Sequence, residues 1–289
     1  MVKSRVRFPG LIAVWVALAV GVAYDASSLR AQSAPATQAA APASTFSDAE
    51  IEEFLLKADV VKTKGTSKGV TGSLQATLND GKMTHDAHIQ FIDESKREFQ
   101  TGKGTEFNFR DSWTFNVAGY KLDRLIGMNM VPVSVSRRYQ SKPSAFTWWV
   151  DDVAMDEGDR LKKKIAPPEP TSWNHQMQMV RLFDQLIYNM DRNMGNLVIT
   201  KSWRVWAIDH TRAFRTHETL KSPESVSRCD RQVFEKLKAL DKDSLKREVG
   251  SVLDEWQMRS LLARRDLIVK RIESLGPAAL FDRQPQETN

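Results

Sequence analysis

The chain holds one cysteine, Cys229, among 289 residues, so no internal disulfide can form even in an oxidising compartment. Arg228 stands beside it and no histidine is close in sequence, which reads as a small packed side chain rather than a nucleophile. Long apolar runs are scarce as well. The longest, "GLIAVWVALAVGVAY" at positions 10–24, has 15 residues and is short for a membrane span. No internal repeat is evident. A strong basic excess is also missing: the formal charge is +6, but residues 1–45 hold Lys3, Arg5, Arg7 and Arg30 against Asp25 alone, leaving +3 for the rest. That balance does not indicate a nucleic-acid partner.

What is present begins with a leader. Lys3, Arg5 and Arg7 precede the apolar run, the order of a secretory signal. Residues 1–31 are therefore expected to be a signal peptide cut near Ala31 or, because Leu29-Arg30-Ala31 is a poor small-x-small site, an uncleaved N-terminal anchor. Either way the bulk of the chain is expected outside the cytoplasm, periplasmic, secreted or anchored. "QSAPATQAAAPAST" at 32–45 has the composition of a linker.

The folded part should open near Phe46, where Ser47 and Glu50 form a capping box before "IEEFLLKA". Strands are expected over "DVVKTK", "GVTGSLQATL" and "HDAHIQFID", the last two joined by the turn Asn79–Gly81. A helix ending at Gly127 and two strands, "MVPVSVSRRY" and "AFTWWVDDVAM", complete a β-rich part with one helix, taken to run over 46–160. Beyond it, 161–289 reads as helical. Met179, Leu182, Phe183, Leu186, Ile187 and Met190 form a helical stripe, and "EWQMRSLLARRDLIVKRIESLG" is a second long helix.

Between helix and strand lies "YNMDRNMGNLVI", and a second acid follows in "WAIDHTRAF". The spacing predicts that "LVIT" and "RVWAID" pair as a hairpin, which returns Asp209 beside the loop carrying Asp191 and Asn196. Two carboxylates and a carboxamide there would make an oxygen-rich site suited to Mg²⁺ bound together with substrate phosphates. Taken singly, each of the three is ordinary turn chemistry; together they point to phosphoryl transfer.

Asp191 and Asn196 stand five apart and Asp209 follows Asn196 by thirteen, a pattern that resembles the protein-kinase-like superfamily. "MDRNMGNLVI" with "WAIDHTRAF" is similar to its atypical branches: phosphatidylinositol kinases, HipA-type kinases and secretory-pathway kinases. "FNVAGYKLDRLIGMNMVPVSVSRR" is similar to the helix and strand of the last group. The resemblance implies a bilobal α+β fold with a small β-rich N-lobe and a helical C-lobe, using ATP and Mg²⁺ or Mn²⁺. It implies that Asp191 is catalytic, serving the accepting hydroxyl, that Asn196 and Asp209 hold the metal, and that "WWVDDV" lies near an adenine-binding hinge. The phosphate loop would be "KGTSKGVTGS", with Lys68, Gly69 and Gly72 as nucleotide contacts, although its glycines do not follow the family's spacing.

The pattern has a gap. The strand lysine of the family falls at Gln90 or Phe91, and the helix glutamate that holds it falls at Asn116. Lys64, Lys68 or Lys96 could supply a replacement cation. The expected function is an exported phosphotransferase acting on a hydroxyl of a protein, lipid or small molecule. The alternatives are a catalytically silent pseudokinase serving as a binding module and a metal-dependent hydrolase. No membrane partner is expected except through an uncleaved anchor.

Overall fold

A computed structural model of the chain describes residues 46–66, 72–102 and 104–283. The leader, the linker, Lys68 and Gly69 lie outside them. Helix α1, Asp48–Lys57, opens on the expected capping box: Glu50 N donates to Ser47 Oγ at 3.3 Å and Ser47 N donates to the Glu50 carboxylate at 2.8 Å. It buries Ile51, Phe54 and Leu55.

Eight elements follow: β1 (Asp59–Gly65), β2 (Leu74–Asn79), β3 (Thr84–Gln90), β4 (Asp93–Thr101), β5 (Gly104–Ser112), α2 (Thr114–Leu125), β6 (Ser134–Tyr139) and β7 (Lys142–Trp148). Five of the strands form an antiparallel sheet in the order β1-β2-β3-β7-β6, while β4 and β5 pair only with each other. The tight turn between β2 and β3 uses Gly81 at φ 86° and the Asn79 side chain, which accepts from Gly81 N at 2.7 Å.

Register assigns the two faces of the sheet. Ala76 lies opposite Ala87, Ala87 opposite Trp148, and Ile89 opposite Phe146; this apolar set is buried with α1 and α2. Gln75 lies opposite His88 and His88 opposite Thr147, so these polar residues share the other face with Asp86 and Gln90.

At Trp148 the chain leaves the sheet. Asp152, in the left-handed region at φ 52°, turns it into β8 (Val153–Asp156). The stretch "AFTWWVDDVAM", expected to be one strand, is thus two, because a left-handed residue cannot continue a strand. β8 joins β9 (Leu197–Thr200) and β10 (Val205–Ala207) in a three-stranded antiparallel sheet. Around it lie α3 (Glu157–Lys163), α4 (Pro170–Leu186), α5 (Arg231–Ala239), α6 (Lys242–Val249) and α7 (Glu255–Leu275). The whole is a β-sheet N-terminal region followed by a helical C-terminal region.

Helix α4 starts at Pro170, ahead of the apolar stripe, because proline suits the first turn, where its missing N–H leaves no bond unmade. It stops at Leu186, so Met190 belongs to the loop. Among the described residues no helix is long and apolar enough to cross a membrane.

One buried cation stitches the helical region together. Arg264 of α7 is fully buried and donates from Nε to Leu186 O at 2.8 Å and from Nη1 to Arg215 O at 2.9 Å and to His217 O. Burial pushes its guanidinium down to about 10, still cationic at neutral pH. These bonds tie the end of α4 to the segment after Asp209. Arg264→Met would fill much of the space yet leave three carbonyls without donors, a loss of about 3 kcal/mol or more. Urea unfolding checks it: an unchanged midpoint would refute the stitching role.

Candidate active site

The loop after α4 is built by its own side chains. Tyr188, at φ 50°, turns the chain out of the helix, and its ring stacks on His217 at 4.7 Å. Asn189 N donates to Asp184 O at 2.9 Å and Asn189 Nδ2 to Asp184 Oδ1 at 3.0 Å, while Asn189 Oδ1 accepts from Asp191 N at 3.0 Å. Asp191 is thereby held at the backbone with its side chain exposed.

Arg192 is the centre of this network. Its Nε donates to the Asp184 carboxylate at 3.0 Å, its Nη1 to Ile208 O at 2.7 Å and Asn196 O at 3.2 Å, and its Nη2 meets His210 Nε2 at 2.9 Å. Only a planar fork can serve four acceptors in these directions at once. A single 3-10 turn, Met194–Asn196, then leads into β9.

The hairpin forms as expected: Ala207 lies opposite Leu197, and Ile208 N donates to Asn196 O at 3.0 Å. Asn196 and Asp209 consequently flank the open end of the hairpin, where Arg192 binds both strands. β10 ends at Ala207, short of the expected Asp209, which sits at φ 56°. That left-handed turn leaves the carboxylate exposed, with Oδ1 accepting from Thr211 Oγ1 at 3.1 Å. Met190 N donates to Arg212 O at 3.2 Å, so the backbone beside Asp191 meets the segment that follows Asp209. The three residues singled out in the sequence are gathered around one hairpin.

The β4–β5 hairpin was not foreseen, though Gly102 and Gly104 between two polar, alternating runs were a turn signal. It lies against the segment after Asp209. Ser112 N donates to Thr211 O at 2.9 Å, Arg215 Nη1 donates to Asn108 O at 2.9 Å, and Glu106 forms ion pairs with both Arg212 and Arg215. The Phe109 ring lies 4.6 Å from the Arg212 guanidinium. Next to this contact, Asp111 is only 7% exposed and its Oδ1 has no hydrogen-bond partner.

Solved structures share this architecture. Hydra Fam20 with sugar superposes with a TM-score of 0.61 at 14% identity, over 82% of this chain and 93% of that one. The Golgi casein kinase with Mn/ADP bound gives a TM-score of 0.56 at 14% identity, over 83% of this chain and 80% of that one. The chain has an atypical protein-kinase-like fold. No family model and no curated protein matches the sequence.

Within this kinase-like frame the expected ion pair is replaced. Gln90 turns its Oε1 back to accept from Phe91 N at 3.0 Å and Ile92 N at 3.2 Å. Phe91 lies beyond the strand, packed against the core. His88, which sequence reasoning passed over, shares the polar face of β3 and lies within the field of Asp209: burial lowers its pKa while the Asp209 charge raises it. On α2, Asn116 Oδ1 accepts from His210 N at 2.8 Å. Gly119 lets the helix approach His210, since a Cβ there would stand 3.3 Å from the ring. Helix α2 therefore grips the backbone after Asp209 directly.

Buried His210 is held well below the ordinary histidine range, first by desolvation and then by the Arg192 charge. Its ring is neutral at pH 7, and because Arg192 donates to Nε2 the proton sits on Nδ1. Lys64 lies opposite Gln75 and so on the polar face of the sheet, whereas Lys96 is paired with Glu94 on the β4–β5 hairpin. Gly72 takes φ 72°, on the β2 side of the expected phosphate loop.

The candidate metal donors are oxygen atoms, those of the Asp209 carboxylate and the Asn196 amide. That set fits a hard divalent cation. No group of three or more His, Cys, Asp or Glu that could hold a metal occurs among the described residues. Arg192→Lys would lose the fork and is expected to cost about 2–3 kcal/mol and to speed amide exchange at Ile208. Hydrogen exchange followed by mass spectrometry checks it, and unchanged protection over 191–210 would show that the loop holds without the fork.

Proposed function

We propose that the protein is an exported phosphotransferase that moves the γ-phosphoryl of ATP to a hydroxyl of a protein, lipid or small molecule. The observation that carries this reading is the grouping of Asp191, Asn196 and Asp209 around one hairpin, locked by Arg192. A kinase-like fold alone does not decide chemistry; these side chains support the phosphotransfer reading.

Asp191, exposed on a loop pinned at both ends, orients the acceptor and takes its proton as the hydroxyl oxygen attacks Pγ. The bond from Pγ to the β–γ bridging oxygen breaks, ADP leaves, and the products are ADP, the phosphorylated acceptor and one proton. Asp209 and Asn196 would hold Mg²⁺ or Mn²⁺, whose charge offsets that of the phosphates when it is bound. Lys64 and Gly72, with Lys68 and Gly69, lie along the part of the chain proposed to hold the nucleotide phosphates. The leader at 1–31 would carry this chemistry out of the cytoplasm, and fusion to a reporter active only after export tests that step.

The second reading, a pseudokinase, draws on Gln90 or Phe91 and on Asn116 where a lysine and glutamate would stand. Two measurements separate the readings. Mg·ATP should raise the melting temperature of the full chain, as a ligand of the folded state must, and Asp209→Asn should abolish the rise. Asp191→Asn should keep the rise but lower the transfer rate by about 10²–10⁴-fold. A folded protein that no nucleotide stabilises would exclude phosphotransfer.

A further inference from the structure

We propose that His85 and Asp151 form a proton-operated latch that fastens the N-terminal sheet to the segment leading from Trp148 into β8. It is closed while both ring nitrogens of His85 carry protons and opens when one is lost. The inference is independent of the phosphotransfer reading and concerns residues outside the candidate active site.

Geometry selects the protonated ring. His85 Nδ1 lies 2.7 Å from Asp86 O, and Nε2 lies 2.9 Å from Asp151 Oδ2. A backbone carbonyl and an ionised carboxylate only accept, so the two bonds coexist only when both nitrogens donate, as in an imidazolium. The ring also lies flat on Trp148, with centroids 3.4 Å apart and planes 8° from parallel, and an indole face attracts a cation. Phe54 and Phe46 meet Trp148 edge-on at 5.9 and 6.4 Å, so the stacking surface is itself held. The His85 side chain is only 14% exposed, which leaves little water to replace a lost bond.

The charged groups around the ring do not compete for it. The Asp86 carboxylate, on the other face of β3, accepts from Gln75 Nε2 at 2.6 Å and Thr77 Oγ1 at 2.7 Å. In the turn before β3, Asp80 accepts from Lys82 N and Met83 N. On α1, Glu53 and Lys57 pair with each other, while β2 places apolar Leu78 opposite His85. When the ring loses a proton, Nδ1 can keep its bond to Asp86 O, and Nε2 then turns a lone pair toward the Asp151 carboxylate. Attraction becomes repulsion, so the latch is closed at low pH and opens as pH rises.

The neighbours of Asp151 give the latch its reach. Trp149 N donates to Asp86 O at 3.1 Å, a second tie to the sheet. Asp152 is tied the other way: its carboxylate accepts from Lys201 Nζ at 2.8 Å and its carbonyl from Lys201 N at 2.9 Å. Lys201 follows β9, in the turn of the hairpin whose other end carries Asn196 and Asp209. Adjacent acids thus bind opposite regions, and opening the latch loosens the sheet from the hairpin.

The test is hydrogen exchange of the full chain followed by mass spectrometry and corrected for intrinsic rates, at about pH 5.5 and about pH 8.5, either side of the range in which imidazole changes charge. In wild type, protection over 149–153 is expected to fall by about fivefold or more at the higher pH. Asp151→Ala, at a side chain 68% exposed and therefore tolerant of removal, should show the lower protection at both. Wild-type protection that does not change with pH, or that changes equally in Asp151→Ala, would overturn the latch. Ring ¹⁵N shifts give a second answer: both nitrogens of His85 should carry protons at the lower pH, and a neutral ring there would also overturn it.

Discussion

The guanidinium of Arg192 is the constraint on which the site depends. It joins the end of α4, through Asp184, to both strands of the hairpin, through Asn196 O and Ile208 O, and to His210 beyond. Each acceptor is a fixed backbone or buried group, so the positions of Asp191, Asn196 and Asp209 follow from one planar side chain. A loop held this way loses little entropy when a substrate arrives, which is what positional catalysis demands.

Around that centre the structure replaces the usual coupling between the two regions. A lysine and glutamate pair would connect sheet to helix through a charge; here α2 contacts the segment after Asp209 through Asn116 and a close approach at Gly119. The β4–β5 hairpin adds a second grip, with Glu106 bridging two arginines of the same segment. Neutral His210 lies between α2 and Arg192, so nothing in the contact requires a buried unpaired charge on the helix. The consequence is a segment held from both sides.

The polar face of the sheet presents Asp86, His88 and Gln90, and the charge of Asp209 raises the pKa of His88 against the effect of its burial.

Much of this was legible in the sequence because it is local. The capping box at Ser47, the turn at Asn79–Gly81, the stripe of α4 and the hairpin between Leu197 and Ala207 each follow from residues a few positions apart. The spacing of Asp191, Asn196 and Asp209 was also enough to indicate a kinase-like fold. The contacts of Arg192 with Ile208 and His210, of Asn116 with His210, of Glu106 with Arg212 and Arg215, and the burial of Asp111 were not. They join positions 16 to 109 residues apart, and no local periodicity marks a polar side chain whose partner arrives only when sheet and helices pack. Local order was determined by the sequence alone; which charges meet, and which carboxylate oxygen is left without a partner, was decided by the tertiary structure.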